Sequence, residues 1–144
     1  MADKGTSGQW EHFAHIADIG VRGYGPTLEE AFAQAALALT AVVCDPGGVR
    51  LEQKVEIRCQ APNRELLLAD WLNGVIYEMT TRKMLFGEYR VEFRGDSLFG
   101  YATGEDIDRK RHQPAVEPKG ATLTELKAIQ TPDGKWVAQC VIDV

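Results

Sequence analysis

The chain has no surplus of positive charge: 16 Lys and Arg stand against 21 Asp and Glu, a formal net charge of -5. A protein that holds nucleic acid unaided usually presents a basic surface, so that class is disfavoured. The one compact basic run, Arg109-Lys110-Arg111, reads as a solvated turn. Serine occurs only at Ser7 and Ser97, with GxSxG around neither, which removes a serine-hydrolase elbow. Glycine is abundant but forms neither GxGxxG nor a P-loop, so there is no phosphate cradle for a nucleotide. The cysteines, Cys44, Cys59 and Cys140, are far apart and odd in number, without CxxC. That excludes a zinc knuckle and a thioredoxin-type pair, and leaves buried free thiols in a reducing compartment. No apolar run approaches a membrane span, and the opening MADKGTSGQ lacks the apolar centre of a signal peptide. A cytoplasmic protein with no membrane contact is expected.

What is present describes one domain. The 144 residues are enough to bury a core without staples, and residues 1–9 read as a disordered lead-in to a domain over 10–144. The organising stretch runs from Phe13 to Val43. Ile19, Val21 and Tyr24 suit a pleated surface, and Pro26 stops the strand. Thr27-Leu28-Glu29-Glu30 spells a capping box. Leu28, Ala31, Phe32, Ala35, Ala36, Leu39, Val42 and Val43 then follow at helical spacing and predict a helix over about 27–43.

The spacing next predicts a strand over 54–61 and a second helix from Asn63, with Leu68, Trp71, Leu72, Val75, Ile76 and Met79 as its apolar stripe. Asp70 and Asn73 read as the polar flank of that stripe. Beyond Met84 the period becomes two, giving a hairpin through Gly95-Asp96. A polar connection with Pro114 and Pro118 follows, then strands over 121–130 and 136–144 around Thr131-Pro132-Asp133-Gly134-Lys135. The expected fold is α+β: two helices packed on one face of a mostly antiparallel sheet, in a two-layer sandwich.

Chemistry has few places to sit. Asp143 stands one residue before Val144, so its side chain lies close to the last carboxylate of the sequence. Two negative groups at one strand end repel unless water or a cation intervenes, and a mobile end in water is the plain reading. If Asp18 lies alongside, three hard oxygen donors suit calcium, magnesium or manganese. His12, His15 and Asp18 form His-x2-His-x2-Asp, a weak metal signal, since a hydrogen-bonded histidine fixing a turn at His15-Ile16-Ala17-Asp18 is the better account of it. Glu105, Asp106 and Asp108 with His112 and Lys119 could make an acid–base site, although acidic turns are common. No self-sufficient catalytic apparatus is visible.

His15-Ile16-Ala17-Asp18-Ile19-Gly20, followed by Gly25-Pro26-Thr27-Leu28-Glu29-Glu30-Ala31-Phe32, resembles the opening of the archease family. Asp70-Trp71-Leu72-Asn73 resembles its second-helix motif. Gly104-Glu105, Asp108, His112 and Glu117-Pro118-Lys119-Gly120-Ala121-Thr122 resemble its central segment, and Trp136–Val144 its terminal strand. The chain departs from the family pattern at Pro118, Gly120 and Leu123-Thr124, which alters the strand entry beside Lys119.

The resemblance implies a non-enzymatic activator of the tRNA-splicing RNA ligase that joins 3′-phosphate or cyclic-phosphate ends to a 5′-hydroxyl. It would promote guanylylation of a ligase histidine and repeated turnover, and would meet RNA only through the ligase, with no DNA contact. The resemblance places a divalent-cation site on Asp18, Asp143 and Val144 and an activating lysine at Lys119, and His15 is a candidate outer partner of that site. The alternatives are a chaperone-like or adaptor module for RNA-modifying enzymes, or a stand-alone metal-dependent hydrolase on Asp18 and Asp143.

Overall fold

The computed structural model of the chain describes residues 8–15 and 18–144. Two strands open the fold, β1 (Gln9–His15) and β2 (Asp18–Gly25), paired antiparallel with His15 facing Asp18. Gln9 of the expected lead-in therefore belongs to a strand, and the rest of that lead-in up to residue 7 lies outside the described residues. Ile16 and Ala17, between the two strands, also lie outside them.

Helix α1 (Leu28–Val43) starts where the capping signal stands, the Thr27 hydroxyl accepting the Glu30 N–H at 3.1 Å. It is buried on nearly every side, with Phe32, Ala35, Ala36 and Leu39 fully enclosed. A helix so placed needs apolar neighbours all round. It packs on β2 on one side and on β4 (Met84–Arg94) on the other. Its alanines allow close approach to β2, where Gly23 lies against the helix backbone itself. A Cβ there would collide with the Ala31 carbonyl and the Ala35 nitrogen.

After a short 3-10 turn at Pro46–Gly48 comes β3 (Gln53–Gln60). Helix α2 (Arg64–Arg82) follows, its cap formed by Asn63 Oδ1 accepting the Leu66 N–H at 2.9 Å. It ends at Lys83, in the left-handed region with φ 55°. Trp71 is the anchor between the helices: it is fully buried, and Nε1 donates to the Phe32 carbonyl at 3.0 Å. Its ring lies on Gly100 of β5 (Ser97–Asp106), where any side chain would strike it.

The α+β expectation holds, with helices on one face of antiparallel strands, and the strands divide into two sheets. One is three-stranded in the order β3-β5-β4. The other runs β1-β2-β8-β6, where β8 is Trp136–Asp143 and β6 is Gly120–Ala121, and β7 (Lys127–Gln130) also pairs with β8. The single strand expected over 121–130 is thus two short ones. The chain leaves the sheet between them, where Glu125 takes φ 55° and its carbonyl accepts from the buried Gln139 at 3.0 Å. A four-residue helix, α3 (Arg109–His112), interrupts the polar connection. Among the described residues no helix is long and apolar enough to cross a membrane.

Candidate functional site

The beginning and the end of the chain meet in one sheet. β2 and β8 are antiparallel neighbours with Ile19 facing Ile142, Gly20 facing Val141 and Arg22 facing Gln139. Asp18 and Asp143 are the next residues outward on these two strands, and the same register carried one rung further would set them opposite each other at the sheet end. Alternation along a strand puts Asp18, Gly20 and Arg22 on the face shared with Asp143, Val141 and Gln139. The bond from Arg22 Nε to Gln139 Oε1 at 2.7 Å fixes that face. Facing residues on antiparallel strands hold their Cβ atoms about 5 Å apart, and like charges there are destabilising. On the opposite face Ile142 is fully buried and Val144 packs against the core, which anchors the strand end beneath Asp143. Asp143 is exposed and Asp18 half-buried.

His15 and His12 part company. His15 faces Asp18 across β1 and β2, and its Nδ1 is buried without a hydrogen-bond partner among the described residues. His12 lies three positions away on the same strand and therefore on the other face, its Nε2 bonded to the Ala38 carbonyl of α1 at 2.8 Å. The His-x2-His-x2-Asp spacing does not converge.

Lys119 reaches the same sheet end by its backbone. Its N–H donates to the Asp143 carbonyl at 2.7 Å, and the adjoining Gly120 and Ala121 of β6 face Asp143 and Ile142. Among the described residues no strand lies beside the far edge of β6. Asn73 of α2 fills that place, its Oδ1 accepting the Ala121 N–H at 2.9 Å and its Nδ2 donating to the Ala121 carbonyl at 3.4 Å. Reading the sequence missed this residue, placing it as helix flank, because its partner lies 48 positions away.

Glu105, Asp108, Arg111 and His112 do come together, away from the Asp18–Asp143 rung. Glu105 is buried at 5 % exposure and is held by Arg111, by the Arg50 N–H at 2.8 Å and by His112 Nε2 at 2.8 Å. His112 Nδ1 accepts the Asp108 N–H at 2.8 Å, so Nε2 carries the proton it donates to Glu105. Arg111, with the Arg50 amide and His112 assisting, holds the Glu105 carboxyl down at about 2 against the effect of burial. Every partner is satisfied and the acid is enclosed, so the group fastens α3 and the Arg50 turn to β5. Asp106 points away to Gln53 at 3.3 Å, and Lys119 is not among the partners of this cluster.

The three cysteines are free, with Cys140 buried and Cys44 and Cys59 half-buried. Burial pushes the thiols of Cys44 and Cys59 up to about 11 and that of Cys140 to about 12. All three are protonated, poor nucleophiles at neutral pH.

Among the described residues no three His, Cys, Asp or Glu side chains converge as a metal-binding group. Two carboxylates so placed would offer hard oxygen donors of the kind calcium or magnesium takes, with main-chain oxygens or water as further ligands. The buried, unpartnered His15 nitrogen beside Asp18 also fits a polar occupant at this end of the sheet.

The profile of the Archease protein family matches residues 10–144. The chain is 38% identical over 140 residues to protein archease of Pyrococcus furiosus, covering 94% of this chain and 99% of that one. It is 37% identical over 141 residues to protein archease of Methanosarcina barkeri, covering 94% and 96%. The solution structure of protein 1598 from Methanobacterium thermoautotrophicum superposes with a TM-score of 0.77 at 28% identity, covering 94% of this chain and 98% of that one. A Thermotoga maritima crystal structure, described as an archease and possible chaperone, shares the fold with a TM-score of 0.62 at 19% identity, covering 93% and 96%. With the fold, the signature segments and near full-length coverage in agreement, this chain belongs to the archease family.

Proposed function

We propose that this chain is a protein cofactor of the tRNA-splicing RNA ligase, promoting guanylylation of the ligase histidine and its repeated turnover. The observation that carries the reading is the β2–β8 register, whose outermost pair, Ile19 facing Ile142, leaves Asp18 and Asp143 as the next residue on each strand. The pair lies at the edge of the fold, with Asp143 exposed, where a partner protein can reach it.

Asp18 and Asp143, with main-chain oxygens at Val144, would hold a divalent cation, calcium or else magnesium or manganese. Bound there, the cation supplies charge neutralisation for a phosphate-bearing step. The chain's own contribution is orientation. Ile142 and Val144 pin the strand end, and His15 lies beside Asp18 as an outer partner. Lys119, exposed and tied through its backbone to Asp143, offers a cation to a phosphate or to an acidic group of the ligase. The net charge of -5 agrees with contact to RNA through the ligase rather than directly; the chain would act in the cytoplasm, without enzymatic activity of its own.

The test is a single-turnover guanylylation time course of the ligase with and without this chain. Stimulation by the wild type that disappears in Asp143→Ala and in Asp18→Ala supports the reading. Equal rates with and without the wild-type chain reject it.

A further inference from the structure

We infer that Asn73 is a positioning residue that serves as a surrogate strand for β6 and so fixes Lys119 beside Asp143. This rests on the activator reading above, and it concerns how the same site is built.

β6 is two residues long, and two residues of pairing with β8 are too few to hold a strand by themselves. In an antiparallel sheet each residue directs its N–H and C=O together to one neighbour, alternating sides along the strand. Thr122 turns its N–H to the Val141 carbonyl, and on the other side of Ala121 Gly120 is paired with Asp143, while the Lys119 N–H, just before the strand, also reaches the Asp143 carbonyl. Ala121, between them, points both of its groups outward, to an edge where no strand follows among the described residues. The Asn73 carboxamide meets both, accepting from the N–H at 2.9 Å and donating to the C=O at 3.4 Å. That is the two-bond exchange of a strand neighbour, made by one primary amide projecting from a helix.

The chemistry selects the residue type. A carboxylate at position 73 keeps the acceptor but sets a negative oxygen against the Ala121 carbonyl, and an alanine leaves both groups to water. Gly120 lies next to this contact: a Cβ there would meet Asn73 Oδ1 at 3.4 Å, an ordinary van der Waals distance. The Gly120 departure from the family pattern thus falls where β6 and α2 approach. Asn73 itself is exposed and mid-helix, and alanine is the better helix former, so Asn73→Ala is expected to keep the fold.

Two measurements decide it. Amide hydrogen exchange on the protein alone should show Ala121 exchanging about tenfold faster in Asn73→Ala, from loss of a net hydrogen bond, while the Val75 and Ile76 amides of α2 are unchanged. Unchanged Ala121 exchange overturns the inference, whatever becomes of the ligase. In guanylylation assays, Asn73→Ala should lower the maximal stimulated rate about tenfold or more without moving the half-saturating concentration. Lys119→Ala should then add little in the Asn73→Ala background, because both act through one group. Full additivity of the two losses, or an Asn73→Ala protein as active as wild type, overturns it. If the wild-type chain gives no stimulation the activator reading fails, and the exchange result still judges the Asn73 brace.

Discussion

His112 donates from Nε2 to Glu105 at 2.8 Å, while its Nδ1 takes the Asp108 N–H, joining both ends of α3 to the three-stranded sheet. Glu105 is ionised in the folded protein, held at about 2 from an ordinary 4.5, chiefly by Arg111. A carboxyl depressed on folding contributes stability that is complete above its unfolded value and is lost as pH falls toward its folded value. The wild-type melting temperature should therefore fall between about pH 4.5 and about pH 2. In Glu105→Gln the neutral-pH melting temperature should be lower and that acid slope shallower. An unchanged slope in pH-resolved melting curves contradicts the role given to Glu105.

Gly23 lies against the backbone of α1, where neither the Ala31 carbonyl nor the Ala35 nitrogen can move as a side chain would. Gly23→Ala should cost about 1–3 kcal/mol, the usual range for overpacking a filled interior. Gly48→Ala, with no atom within 4 Å of the added methyl, is the control and should be near neutral. Chemical denaturation of the two variants measures the difference. Equal stabilities would show that helix and strand have room to separate.

The thiols should be inert. With Cys44 and Cys59 raised to about 11 and Cys140 to about 12 by burial, less than about one in a thousand is thiolate at neutral pH. Alkylation of the native protein followed by mass spectrometry should be slow at every cysteine and slowest at Cys140. Rapid labelling of Cys140 in native buffer would show that β8 opens readily.

The parts of this fold legible in the sequence are those set by neighbouring residues. Thr27 and Asn63 cap the helices as their patterns suggest, because a cap needs only the next three residues. The apolar faces of α1 and α2 are likewise local, although nothing in the α1 pattern says that it is covered by two sheets. The break at Glu125 escapes a reading based on alternation, since 121–130 keeps strand-like residues while its carbonyl turns to Gln139.

The site divides in the same way. Asp18 and Asp143 are picked out by two acids among apolar neighbours and by the family resemblance, and the register then makes them neighbours. His12 and His15 look like one motif in sequence, but strand alternation sends them to opposite faces. Glu105 and His112 read as an acidic turn because burial and the arginine reaching back from the basic run are tertiary facts. Asn73 belongs to the Asp70–Asn73 segment that resembles the family, but nothing local gives its role, which exists only once β6 has come to lie beside α2.

Asp18 and Asp143 acting together is the claim on which the functional reading stands, and cation binding is its nearest consequence. Calorimetric titration with calcium should show binding to the wild type that is lost in Asp18→Asn and in Asp143→Asn, with melting curves of the unliganded proteins little changed. Binding that survives either substitution would move the cation elsewhere.

The most direct measurement remains the single-turnover guanylylation of the ligase in the presence of Asp143→Ala. The expected result is a folded protein that leaves the ligase at its unassisted rate. A rate equal to that obtained with the wild-type chain would contradict the account.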